Sequence, residues 1–209
     1  MEVEIGLLPR RRVHEASLLL ARAFADDGIL TYYLGGLGRQ RIAIPAFFCA
    51  VIHAHAETTY AATAGPDLVG VLVCAGPDGS RPCLGARIRA RSRLLQVQAL
   101  FPRSSRQLLA GLRSMERLRP PHPHWYLVFG GVEPAVQGRR IGEALFRPVL
   151  EKADSDRVLC YLETPFPRTL ALYRRLGFEI VSESRPFPDA RPLWRMIRIP
   201  QTADAAEPI

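Results

Sequence analysis

No apolar run in the chain approaches the roughly 20 residues needed to cross a bilayer. The best stretch, Ile42 to Ala56, is interrupted by Pro45, His53 and His55, so a membrane partner is not expected. The chain opens with Glu2 and Glu4, and its basic cluster Arg10, Arg11 and Arg12 follows the first apolar residues. That order is the reverse of a secretory signal and makes the cytoplasm the expected compartment. Cysteine is sparse: Cys49, Cys74, Cys83 and Cys160 are widely spaced and form no C-x-x-C pair, which argues for reduced thiols. The histidine pairs His53/His55 and His122/His124 have i, i+2 spacing. This spacing shares a face only on a strand, and with no clustered ligands nearby no metal site is expected.

Basic residues outnumber acidic ones, 28 to 20, for a net charge of +8. That surplus suits any polyanion and does not choose among them. The densest groups are Arg87, Arg89, Arg91 and Arg93, and the pair Arg139 and Arg140. Neither carries the interleaved aromatics that stack bases, so nucleic acid is not an expected partner and the first group reads as a solvated face. There is no internal repeat and no low-complexity linker. With 209 residues and 48% of them hydrophobic, the chain has material for one core. The expectation is a single domain over 1–200 and a disordered tail over 201–209, monomeric or homodimeric.

Val3 to Leu7 suits a first strand. Val13, Ala16, Leu20 and Phe24 then recur at helical spacing until Asp26, Asp27 and Gly28. Helix is expected again over Ile29 to Leu34 and Gln40 to Ala56. A hairpin of Thr58 to Ala62 with Leu68 to Ala75 follows, turning at Gly65, Pro66 and Asp67. Two helices split at Pro102 are expected between Leu84 and Leu118. The rest alternates: strand Trp125 to Val132, helix Ile141 to Ala153, strand Val158 to Glu163, helix Pro167 to Leu176, and strands Phe178 to Ser182 and Leu193 to Ile199. This order points to an α/β or α+β sheet covered by helices.

The most informative segment runs Gly130-Gly131-Val132-Glu133-Pro134-Ala135-Val136-Gln137-Gly138-Arg139-Arg140-Ile141-Gly142-Glu143. A strand ends, a turn follows, and a helix begins among small and basic residues. The first N–H groups of a helix lack internal partners and sit at the positive end of its dipole, so they bind anions, and glycine admits the anion closely. The same pattern also fits an ordinary capping turn before an amphipathic helix. A second segment, Leu162-Glu163-Thr164-Pro165-Phe166-Pro167 through Tyr173-Arg174-Arg175-Leu176-Gly177-Phe178, places proline at a first helical turn and glycine at a C-cap.

Together these segments resemble the GCN5-related N-acetyltransferase family. Its cofactor motif reads Val-x-Pro-x-x-Gln-Gly-x-Gly-x-Gly, and its later motif reads Leu-Glu-x-x-Asn-x-x-Ala-x-x-x-Tyr-x-x-x-Gly-Phe. The resemblance is nearest to the branch containing puromycin N-acetyltransferase, through Ala23-Phe24-Ala25-Asp26, the insert before Trp125-Tyr126-Leu127, and Arg191-Pro192-Leu193-Trp194-Arg195-Met196. It implies a central mixed, splayed β-sheet flanked by helices, open between the strands ending at Val132 and Glu163, and acetyl-CoA (coenzyme A) as cofactor. It also implies an N-acetyltransferase acting on the primary amine of a small molecule through a tetrahedral intermediate.

By the same resemblance, Gly130, Gly131 and Val132 would meet the pantetheine and acetyl end, and Gln137, Gly138, Arg139, Arg140, Ile141, Gly142 and Glu143 the pyrophosphate. Arg168 and Thr169 would lie near the nucleotide half. Tyr173 would touch the cofactor sulfur and protonate the leaving thiolate. Given such a gap, the Val132 N–H is the candidate oxyanion donor, as a main-chain dipole fixed at the opening. Glu163, at the end of the gap-facing strand, is the candidate base, with His122 and His124 as alternatives. Arg140 stands where the family has glycine, and Phe166 where it has asparagine. These departures keep open a different reading, a catalytically weak acyl-CoA binding sensor on the same fold.

Overall fold

The computed structural model describes residues 2–25, 40–77, 84–100, 116, 118–185 and 192–201. The helix expected over Ile29 to Leu34, the second insert helix after Pro102 and the tail beyond Gln201 lie outside the described residues.

The described elements are β1 (Glu4–Leu7), α1 (Val13–Ala23), α2 (Gln40–Ala54), β2 (Thr59–Ala64), β3 (Asp67–Ala75) and α3 (Leu84–Leu100). They continue with β4 (His124–Val132), α4 (Ile141–Asp156), β5 (Leu159–Thr164), α5 (Pro167–Arg175), β6 (Glu179–Ser184) and β7 (Leu193–Arg198). The strands form one mixed sheet of seven in the order β1-β2-β3-β4-β5-β7-β6. Only β4 and β5 pair in parallel; every other pair is antiparallel. Gly65 takes the positive φ of +59° that the β2–β3 hairpin turn requires.

Helices cover both sheet faces, so the middle strands are apolar on both sides. On β3, Val71 and Val73 pack under α1 and α2 with Leu20, Phe48 and Ile52. The intervening Leu72 and Cys74 turn to the other face, against Leu145, Phe146 and Val149 of α4. Cys49, Cys74 and Cys160 are buried, and among the described residues they form no disulfide. Among the described residues, no helix is long and apolar enough to cross a membrane, and no three His, Cys, Asp or Glu side chains gather as a metal group.

The sheet is not continuous at its centre. β4 pairs with β5 only from His124↔Leu159 to Leu127↔Leu162. Beyond that point β4 stays on β3 as far as Val132↔Gly70, and β5 stays on β7 as far as Thr164↔Trp194. The β3–β4 register shifts between Val73, opposite Phe129, and Cys74, opposite Leu127, which leaves Val128 as an extra residue in β4. Such a bulge bends and twists its strand, and it sits where β4 parts from β5. A Cβ on Gly131 would lie 2.9 Å from both Ala23 Cβ and Leu20 Cδ2, so α1 rests directly on the diverging strand.

The far ends of α4 and α5 are tied to β7 by one side chain. Buried Arg198 donates Nη1 and Nη2 to Asp154 Oδ1 and Oδ2 at 2.6 and 2.8 Å, and Nε to the Leu176 carbonyl at 3.0 Å. The hydrogen bonds from Arg198 hold the Asp154 carboxyl below its ordinary 3.8. A carboxyl depressed in the fold contributes stability above its unfolded pKa and loses it as pH falls through the folded one. Asp154→Asn should therefore cost about 2–4 kcal/mol at neutral pH, because it leaves a buried guanidinium without its counter-ion. In urea titrations the gap to wild type should narrow below about pH 4; a gap independent of pH would contradict this account.

Candidate functional site

The divergence of β4 and β5 opens a cleft of about 510 Å³. Its geometry follows from hydrogen-bond alternation along β4. Glu133 N–H donates to Val69 O at 2.9 Å, and Gly131 is opposite Val71 two residues back, so both bond toward β3. The main-chain groups of Gly130 and Val132 therefore point away from β3, into the cleft. Gly131 turns its main chain to β3 and its bare α-carbon to α1; its glycine identity is explained by packing. The Val132 carbonyl accepts from Gln137 Nε2 at 3.1 Å, which folds the following loop back over the strand end.

That loop delivers the start of α4. Gly138 and Arg140 both have positive φ, +81° and +60°. Arg140 occupies the N-cap and no side chain caps the helix; a guanidinium has only donors and cannot do so. The N–H groups of Ile141, Gly142 and Glu143 are left without intrahelical acceptors at the positive end of a 16-residue helix. All three residues line the cleft, and a Cβ on Gly142 would meet only Leu172 Cδ2 at 3.6 Å. This donor set fits the pyrophosphate of a coenzyme. Glu143 is neutralised by Arg175 at 2.8 Å, and Arg140 and Arg168 add positive charge to the wall.

The opposite wall is β5 and the start of α5. Phe166 is the α5 N-cap residue and offers no side-chain acceptor. The turn is instead locked by threonines. The Thr164 and Thr169 hydroxyls share a hydrogen bond of 2.8 Å, Phe166 N–H donates to Thr164 Oγ1 at 3.2 Å, and Thr169 Oγ1 donates to the Phe166 carbonyl at 2.8 Å. The Phe166 ring packs against Phe24, centroids 6.3 Å apart.

α5 ends in a Schellman motif. Phe178 N–H reaches Tyr173 O at 2.9 Å and Gly177 N–H reaches Arg174 O at 3.0 Å, with Gly177 at φ +85°. The Tyr173 ring is fixed between Phe146 and Phe178, with centroids at 5.7 and 6.1 Å. Burial pushes its phenol up to about 12, with the Thr169 side chain acting in the other direction. It remains a proton donor at neutral pH.

Glu163, at the end of β5, accepts hydrogen bonds from Tyr161 Oη at 2.7 Å and Tyr126 Oη at 3.3 Å. Burial raises its pKa, while these two phenols and the charges of Arg119 and Arg195 favour the carboxylate. His124 instead sets Nδ1 2.8 Å from the His122 carbonyl, and neither histidine lines the cleft. Of the cofactor-binding and catalytic residues singled out from sequence, all but Arg139 and the alternative bases His122 and His124 line it. Sequence reading missed Phe24, Phe47 and Arg119 as wall residues. They come from distant segments, and no local spacing marks them.

The profile of the acetyltransferase (GNAT) family matches residues 37–178. The chain belongs to this family. Over 80 residues it is 39% identical to the N-alpha-acetyltransferase RimI of Mycobacterium tuberculosis (strain ATCC 25618 / H37Rv), covering 38% of this chain and 51% of that protein. The chain thus spans about half the length of the curated relative it matches. Its fold is similar to a histone acetyltransferase HPA2 and related acetyltransferase from Corynebacterium glutamicum ATCC 13032 (TM-score 0.75, 21% identity, 97% of this chain and 98% of that one). It is also similar to arylalkylamine N-acetyltransferase 2 of Aedes aegypti (TM-score 0.68, 13% identity, 96% and 100%). At these identities the likeness shows the fold.

Within the family motif, Arg140 holds a left-handed conformation that glycine adopts without steric cost. Arg140→Gly should raise stability by about 0.5–1 kcal/mol after the extra unfolded-state entropy of glycine, or about 1–4 °C in Tm. A melting temperature that falls would show that the arginine side chain makes a compensating contact.

Proposed function

We propose that the chain is an acetyl-CoA dependent N-acetyltransferase moving an acetyl group by direct transfer to a primary amine of a small molecule, in the cytoplasm. The observation that carries this reading is the cleft itself. Main chain of β4 with no strand beside it runs along one wall, uncapped α4 amides close one end, and Glu163 and Tyr173 border the space between. The similarity of the N-terminal, insert and closing segments to the puromycin N-acetyltransferase branch supports a small-molecule acceptor.

Bound acetyl-CoA supplies an acyl thioester. The main-chain groups of Gly130 would hold the pantetheine arm as a further strand would be held. The N–H of Val132, whose carbonyl Gln137 already occupies, would be an oxyanion donor fixed in advance by the β3–β4 ladder. The N–H groups of Ile141, Gly142 and Glu143 would hold the pyrophosphate, with Arg140 and Arg168 adding charge. Glu163 takes the proton from the acceptor ammonium, and Tyr173 gives its proton to the departing sulfur. Arg140 and Phe166 leave the amide nest intact, since neither side chain contributes to it.

Tyr173→Phe should keep the fold and the acetyl-CoA-induced rise in melting temperature, yet lower the transfer rate roughly 10- to 1000-fold. Acyl thioesters with a more acidic thiol should recover part of the loss. An unchanged rate under conditions where chemistry limits turnover would return Tyr173 to a packing role. A wild-type protein whose melting temperature does not respond to acetyl-CoA would remove the proposed function altogether.

A further inference from the structure

The sheet face opposite α4 carries a polar cluster that acetyl-CoA binding leaves unexplained. Cys160, Leu162 and Met196 face α4; by alternation, Tyr161 and Glu163 of β5 and Arg195 of β7, which pairs with Glu163, face the other way. Tyr126 joins them through its bond to Glu163. The Arg119 guanidinium carbon lies 3.9 Å from the Tyr126 ring centroid, and both residues line the cleft.

Among the described residues, no carboxylate lies within ion-pair distance of Arg119. Its Nε is buried with no hydrogen-bond acceptor, as is Nε of Arg195. Arg195 Nη1 donates to the Leu118 carbonyl at 3.1 Å and so braces the residue before Arg119. Buried donors without acceptors are costly, and among the described residues Glu163 is the carboxylate on which both guanidinium charges act. The other carboxylates near the cleft, Glu133 and Glu143, are already paired with Arg22 and Arg175. His55, beside Arg119, is held neutral: burial lowers its pKa to about 4, and Arg119 acts in the same direction. Among the described residues, the cluster therefore carries one positive charge in excess when Glu163 is ionised.

Tyr126 lies between anion and cation: its hydroxyl bonds Glu163 at 3.3 Å, and the Arg119 guanidinium lies over its ring and reaches the same hydroxyl. Phe24, Phe47 and Phe129 form the neighbouring wall, with Phe129 centroids 5.6 and 5.8 Å from those of Phe24 and Phe47. Resting on the acetyl-transfer reading above, we propose that the acceptor is an amine bearing a carboxylate a few bonds from the nitrogen, on an apolar or aromatic body. Arg119 holds the carboxylate, Glu163 faces the amine, and the phenylalanines enclose the body. A polyamine would bring further positive charge to a site already in excess.

The test is a comparison of matched acceptors with acetyl-CoA: phenylalanine, phenethylamine, which lacks only the carboxylate, and spermidine. Wild type should favour phenylalanine over phenethylamine by about 10-fold or more in kcat/KM, the discrimination expected when a buried charged donor loses its acceptor. Spermidine should be the poorest. In Arg119→Leu the preference should fall to about one, and in Arg119→Lys part of it should survive. Equal or better transfer to phenethylamine by wild type, a comparison that needs no variant, overturns the inference while leaving the acetyl-transfer reading intact. So does a preference that persists in Arg119→Leu. Failure to acetylate any of these acceptors, or any other amine, overturns both.

Discussion

The structure depends on one interrupted ladder. Strand pairing between β4 and β5 stops after Leu127↔Leu162, and the main-chain donors and acceptors beyond it need partners from elsewhere. Three devices hold the strands apart. The Val128 bulge turns β4, α1 presses on Gly131, and Gln137 closes over the Val132 carbonyl. The gap is therefore a built feature, and Gly130 and Val132 present their groups into it because of the same two-residue alternation that pairs Gly131 and Glu133 with β3.

What faces the gap is held equally firmly. Tyr173 sits one turn before a Schellman stop, its carbonyl taken by Phe178 N–H and its ring by Phe146 and Phe178. The Leu176 carbonyl in that stop is bound by Arg198, which Asp154 anchors to the end of α4. The phenol proposed as proton donor on α5 is thus tied to the helix whose other end presents open amides. The proposed proton donor and phosphate nest share one frame, as preorganised catalysis requires.

The elements that position this site were legible in the sequence because their signals are local. Pro167 and Gly177 bracket α5, Gly65 marks the β2–β3 turn, and the apolar run from Leu68 reads as a strand of that hairpin. The motif around Gln137 to Gly142 indicated the start of α4 and its open amides. Other features were not legible because they depend on contacts between distant segments. Gly131 belongs to the motif by position, yet its missing side chain answers to Ala23 and Leu20 on α1. Arg140 departs from the motif in residue type but adopts the left-handed backbone of the glycine it replaces. The aromatic and cationic wall joins Phe24, Phe47, Arg119 and Phe129 from four segments, and no spacing rule unites them.

The central claim is that coenzyme A binds as an added strand along β4, with its pyrophosphate on the first amides of α4. Hydrogen exchange of individual backbone amides, with and without saturating acetyl-CoA, tests it most directly. The account predicts slowed exchange at Gly130, Val132, Ile141, Gly142 and Glu143, with Gly131 and the β3 amides, already bonded within the sheet, changing least. Protection confined to other parts of the chain, or none at these five amides while acetyl-CoA is bound, would contradict it.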